Sequence, residues 1–229
     1  MGKTIEITAK DQFKNENYVA YPDGKPKAII VVIQEIFGVN AHIKAVADNY
    51  ASHGYLAIAP AAFSRVKKAV DLGYTPDDMK AGFELKTAVE QLPNEGVLAD
   101  IQATVDWAIE ETKGLKVGVV GYCWGGLLTW RSAALVSGVS AAAPYYGGGM
   151  TVEPAINLKP KCPTIVHFAE KDHWITMDTV DAFKAMHADV PVYLYPSDHG
   201  FNCDHRGAYH EESAKLALER TLAFFQEKL

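Results

Sequence analysis

The sequence predicts an α/β architecture, a mostly parallel sheet covered by helices on both faces. Three observations carry that expectation. β-Branched runs such as Ile29-Ile30-Val31-Val32-Ile33 read as strands buried on both sides. Between such runs lie stretches with apolar residues at helical spacing, as in Val97, Ile101, Val105 and Ile109. The links are short, which favours parallel neighbours and two covered faces.

The elements follow in order. Residues 4–9 and 17–21 alternate weakly across a polar turn and predict an N-terminal antiparallel pair. Residues 27–34 predict the first buried strand. Asn40 is a helix N-cap for 41–53, which stops at Gly54. Residues 55–60 predict a second buried strand, 61–73 are irregular, and Thr75-Pro76-Asp77-Asp78 opens another helix by its cap-then-proline pattern. A helix over 95–113 ends at Gly114. Strand 115–120, helix 125–137 and strand 139–145 come next. Strand 164–168, helix 176–188, strand 190–195 and a closing helix over 207–228 complete the chain. No repeat, low-complexity tract or linker interrupts it, so residues 1–229 are expected to form one domain.

Bulk properties exclude several classes. The 229 residues are 48% hydrophobic and 22% charged, ordinary for a globular chain. The net charge of −6 speaks against a nucleic-acid partner. No run approaches the roughly 18 apolar residues of a membrane span. The first residues lack the apolar core of a signal peptide. Three scattered cysteines, Cys123, Cys162 and Cys203, are too few for a disulfide framework. A cytoplasmic location, without membrane association, is the expectation.

Catalytic groups in such sheets gather at the carboxyl ends of strands, and four features fall there. Gly121-Tyr122-Cys123-Trp124-Gly125-Gly126 sits between a predicted strand and a predicted helix. A nucleophile elbow needs small residues two before and two after the nucleophile, so that strand and helix approach closely around a sharp turn. Most free cysteines are small buried hydrophobes, but this context favours a nucleophile. The strand 164–168 leads to Glu170-Lys171-Asp172, where an acid can orient a histidine; Glu170 competes with Asp172 for that part. His199, in Asp198-His199-Gly200 after the last strand, suits a general base held on a loop. The chain order nucleophile, acid, histidine is that of the α/β-hydrolase fold. Glu35 follows an apolar strand, an expensive place for a carboxylate without a partner.

With these residues assembled, the chain resembles the dienelactone hydrolase family. The matching pieces are Val32-Ile33-Gln34-Glu35-Ile36-Phe37-Gly38-Val39-Asn40, the cysteine elbow, Glu170-Lys171-Asp172-His173 and His199-Gly200-Phe201-Asn202. The resemblance implies a Cys123–His199–Asp172 triad, an oxyanion hole from the N–H groups of Ile36 and Trp124, and Glu35 beside the thiol to help deprotonate it. It implies ester or lactone opening through a thioester, with no metal or organic cofactor. Arg206 is the candidate for holding a substrate carboxylate. The family's second arginine has no match between Arg65 and Arg131, and Lys80 or Lys86 would have to replace it without a bidentate fork. Phe37, Trp124, Tyr146 and Trp174 are the aromatic candidates for the pocket.

The implied partner is a small-molecule ester or lactone, acted on by a monomer or small homo-oligomer. Competing readings are a thiol carboxylesterase without carboxylate preference and a scaffold that binds ligands without catalysis. His199, Cys203, Asp204 and His205 include soft ligands but lack zinc spacing, and a redox role for Cys203 rests only on its nearness to His199.

Overall fold

The computed structural model describes residues 2–93 and 96–229. The strands are β1 (Lys3–Thr8), β2 (Lys14–Ala20), β3 (Ile29–Ile33), β4 (Leu56–Pro60), β5 (Val117–Tyr122), β6 (Val139–Tyr145), β7 (Val166–Ala169) and β8 (Val192–Tyr195). They form one sheet in the order β1-β2-β4-β3-β5-β6-β7-β8. β1 pairs antiparallel with β2 and β2 with β4; the remaining pairs are parallel. Both the antiparallel start and the parallel body agree with the sequence expectation.

The helices are α1 (Ala41–Ser52), α2 (Pro76–Glu90), α3 (Gly96–Glu111), α4 (Trp124–Leu135), α5 (Met177–Met186) and α6 (Glu211–Lys228). The expected start of α3 at Glu95 lies outside the described residues. α1 and α6 share one face of the sheet, joined by the rings of Tyr50 and Phe225 at 6.4 Å. On the opposite face α3 contacts both α2 and α4, Glu90 of α2 pairs with Arg131 of α4 at 3.1 Å, and Phe183 of α5 meets Trp130 of α4 at 5.0 Å.

Local chemistry explains the boundaries. Asn40 caps α1 by accepting the Ile43 N–H at 3.2 Å. Thr75 and Asp78 form a reciprocal capping box at α2, with Pro76 in the first turn. β3 and β4 are buried along their whole length, as their β-branched and apolar composition requires. α4 has ten buried residues of twelve, among them Leu128 and Trp130, because it lies over the sheet centre.

Several boundaries differ from expectation, as at β2, which begins at Lys14 rather than 17, and three have a clear local cause. β7 begins at Val166, since Thr164 makes only an isolated bridge to Ala142. β8 begins at Val192, after Pro191, which has no N–H for a ladder. α6 begins at Glu211, capped by the His210 ring, which accepts the Ser213 N–H at 3.3 Å. Successive turns occupy the stretch before it, with Cys203 N–H donating to Gly200 and Arg206 N–H to Cys203, both at 3.0 Å. Those turns fold Cys203 and Arg206 back toward the sheet.

Candidate active site

Register determines which loops meet. Ile33 of β3 pairs with Gly121 of β5, so Glu35 and Cys123, each two residues further on, leave the sheet at one level. Tyr122 pairs with Tyr145, and Ala169 with Tyr195, which brings the loops carrying Tyr146, Asp172 and His199 to the same edge.

Cys123 stands at the junction of β5 and α4 with φ 57° and ψ −118°. This strained conformation is rare for a residue with a side chain. A Cβ at Gly121 would run into the Gly125 carbonyl, and one at Gly125 into the carbonyls of Ile33 and Gln34. Glycine at both positions is what lets strand, turn and helix close. The Cys123 N–H donates to the Tyr145 carbonyl at 3.1 Å, and its own carbonyl accepts from Gly126 at 2.9 Å.

Asp172 and His199 meet at 2.7 Å, Oδ2 to Nδ1, both buried. The other Asp172 oxygen accepts the N–H groups of Trp174 at 2.8 Å and Ile175 at 3.1 Å, which fixes the carboxylate as an acceptor pointed at the ring. Glu170 is exposed and makes no such bond. Burial opposes charge on His199, but the Cys123 sulfur and the Asp172 carboxylate outweigh it and push the pKa up to about 10.

Cys123 and His199 open onto one cavity of about 220 Å³, lined also by Ile36, Phe37 and Trp124. Among the described residues, no protein group accepts the N–H of Ile36 or of Trp124. The Trp124 ring is buried, stacked on Phe63 at 5.1 Å and donating from Nε1 to Glu90 at 2.8 Å.

Glu35 is buried and holds an arginine. Its Oε1 accepts from Arg206 Nη1 at 2.9 Å, while Oε2 is buried and unpartnered. Arg206, folded inward by the turns after His199, is its one ion-pair partner among the described residues and also lines the cavity. Lys86 lines the cavity too, whereas Lys80 does not. Tyr146 is corrected from pocket lining to core: it is fully buried, with its ring 5.1 Å from the His199 ring and 5.1 Å from Phe201. The reason is backbone geometry, since φ of 33° at Tyr146 turns the chain sharply as it leaves β6. Trp174 does line the cavity, at its mouth, 59% exposed and 5.8 Å from Phe83.

Sequence reasoning missed Met79 and Phe83, which α2 supplies as the apolar wall, and Gly148-Gly149 after β6. The signal for α2 was Gly82, whose missing side chain lets the helix sit against the Ile36 carbonyl.

Fold and site together define the class. A parallel sheet with a glycine-flanked, positive-φ residue between β5 and α4, and a histidine–acid pair on the loops after β8 and β7, is an α/β hydrolase. The chain belongs to the dienelactone hydrolase family, whose model matches residues 16–229. It is 35% identical over 244 residues to a Synechocystis protein described as "Putative carboxymethylenebutenolidase", covering 99% of this chain and 98% of the relative. It is 29% identical to a carboxymethylenebutenolidase of Pseudomonas putida, covering 96% and 94%. A crystal structure titled "Putative Dienelactone Hydrolase" from Klebsiella pneumoniae superposes with a TM-score of 0.84 at 31% identity, covering 99% and 98%. The protein is therefore a carboxylic ester hydrolase. Among the described residues no helix is long and apolar enough to cross a membrane.

Proposed function

We propose that the protein hydrolyses a small ester or lactone with Cys123 as nucleophile, His199 as proton carrier and Asp172 as its orienting acid. The observation that carries this reading is the 2.7 Å Asp172–His199 bond, with His199 and the strained Cys123 facing one cavity.

Cys123 Sγ, whose proton already rests on His199 Nε2, attacks the carbonyl carbon. The carbonyl π electrons move to oxygen, and the N–H groups of Ile36 and Trp124 receive the oxyanion, each contributing about 3 kcal/mol. Collapse of the adduct breaks the carbon–oxygen bond, and the leaving alkoxide takes the proton from His199. In a lactone that alkoxide stays tethered to the acyl group. Neutral His199 then removes a proton from water, which attacks the thioester; the carbon–sulfur bond breaks, Cys123 leaves as the thiolate and His199 keeps the proton, which restores the starting pair. Asp172 holds Nδ1–H throughout, so Nε2 always faces the reaction. Glu35 serves as an auxiliary proton acceptor for the thiol, governed by its hold on Arg206.

A second reading concerns the substrate. Arg206 is already paired with Glu35, and among the described residues Lys86 of the cavity has no ion-pair partner. A lysine gives a point charge without the bidentate fork of an arginine, which favours a thiol carboxylesterase with weak carboxylate preference. Residues 1–229 are read as one domain acting in the cytoplasm, as a monomer or small homo-oligomer; the shared sheet and three free cysteines accord with that.

The test is hydrolysis of p-nitrophenyl acetate by wild type and Cys123→Ala. Loss of turnover, with an acyl adduct on Cys123 trapped by acid quench in wild type, is expected. Undiminished turnover in the variant overturns the proposal, and a family of esters and lactones with and without a carboxylate separates the two substrate readings.

A further inference from the structure

Behind the cavity, Glu35, His42 and Cys203 bring an oxygen, a nitrogen and a sulfur within 4.8 Å of one another, all three residues being buried. They come from three separate segments: the loop after β3, the first turn of α1 and the turns before α6. Glu35 Oε2 and His42 Nε2 are buried and have no hydrogen-bond partner. Two such atoms in one place are costly unless something occupies the space between them. On the outer side, His42 Nδ1 lies 3.2 Å from Oδ1 of exposed Asp204. A carboxylate there accepts a hydrogen bond from Nδ1–H and so favours the tautomer whose Nε2 lone pair is directed inward, the arrangement that orients metal-bound histidines.

We propose that Glu35, His42 and Cys203 form a binding site for a zinc-class divalent cation. A carboxylate, an imidazole and a thiolate are the donors zinc takes, whereas magnesium or calcium would reject the sulfur and nitrogen. Tetrahedral zinc with bonds of about 2.0–2.3 Å spaces its ligands by roughly 3.3–3.8 Å, so closing the site needs a contraction of about 1 Å at its widest pair. The Cys203 proton leaves to solvent as the sulfur takes the metal. Asp204 and His205, both exposed, mark the route from the surface, with the His205 ring 6.0 Å from that of His42. The four residues His199, Cys203, Asp204 and His205 do not act as one cluster: Cys203 turns inward, Asp204 orients His42, and His199 binds Asp172. Loading the site would also tie down the Glu35 carboxylate and slow turnover, a consequence that rests on the catalytic reading above, while zinc binding itself does not.

The experiment is titration of the metal-free protein with Zn²⁺ by calorimetry, with Co²⁺ as a spectroscopic substitute. Wild type is expected to bind one Zn²⁺ per chain, and Co²⁺ to give a sulfur-to-metal charge-transfer band. Cys203→Ser should lose that band and, like His42→Gln, bind zinc at least ~10-fold more weakly; Asp204→Asn, acting through His42, should weaken binding by about 10-fold. Cys123→Ala should keep both affinity and band, with near-ultraviolet circular dichroism establishing that each variant is folded. The proposal is overturned if wild type takes up no zinc, if folded Cys203→Ser binds as tightly as wild type, or if Cys123→Ala loses the band.

Discussion

Glu35 Oε1 and Arg206 Nη1 are 2.9 Å apart, although 171 positions separate them in the chain. One oxygen of a buried carboxylate is satisfied by an arginine of the cavity wall, and the other has no partner. Removing the arginine therefore leaves a buried charge uncompensated. Arg206→Ala is expected to cost about 3–5 kcal/mol of stability. Arg206→Lys, which keeps the charge, should lose less. Urea unfolding of the three proteins gives the comparison, and equal stabilities would show that Glu35 is satisfied in some other way.

The Asp172–His199 bond predicts a kinetic effect without loss of fold. Asp172→Asn keeps the shape but no longer holds the His199 ring as a charged acceptor does. Turnover of p-nitrophenyl acetate should fall by about 10²–10⁴-fold, with near-wild-type circular dichroism. A variant within twofold of wild type would remove Asp172 from the mechanism.

His199 also predicts how stability depends on pH. In the folded chain it keeps its proton to about pH 10, against 6.5 when unperturbed, because the Cys123 sulfur and Asp172 outweigh the burial that disfavours the charge. The stabilisation from this proton is complete below about pH 6.5. It declines as pH rises and is gone above about pH 10. Chemical denaturation from pH 6 to 10 should show that decline. It should be shallower in Cys123→Ala, where one of the groups favouring the imidazolium is missing.

Away from the site, Arg65 joins Asp11 on the N-terminal turn to Asp100 of α3 at 2.6 and 2.8 Å. Asp100 is 1% exposed. Burial pushes its carboxyl up and Arg65 draws it back down. Arg65→Met should destabilise by about 3–5 kcal/mol through the stranded carboxylate. In Arg65→Met combined with Asp100→Leu, much of the loss should return. Melting temperatures of both variants measure this, and no recovery in the double variant would place the effect elsewhere.

Much of the architecture was legible because local rules and tertiary packing agreed. The β-branched run of β3 and the capping residues Asn40 and Thr75 each announce their element through short-range chemistry. The elbow glycines announced a close approach of strand and helix, and the approach is there. The choice between Glu170 and Asp172 was open in the sequence, because two acids two residues apart on a loop look alike. Only the N–H groups of Trp174 and Ile175, which hold the Asp172 carboxylate toward His199, distinguish them.

By itself, then, the sequence determined the alternation of strands and helices, the antiparallel start of the sheet and the order of the chemistry-bearing residues along it. These follow from side-chain periodicity, caps and glycine geometry, which act over a few residues. Tertiary structure alone decided that Glu35 faces Arg206, that Tyr146 packs behind His199, that α2 walls the cavity and that Cys203 meets His42. Those contacts join distant positions, and they depend on strand register and on the turns before α6, which no local pattern encodes.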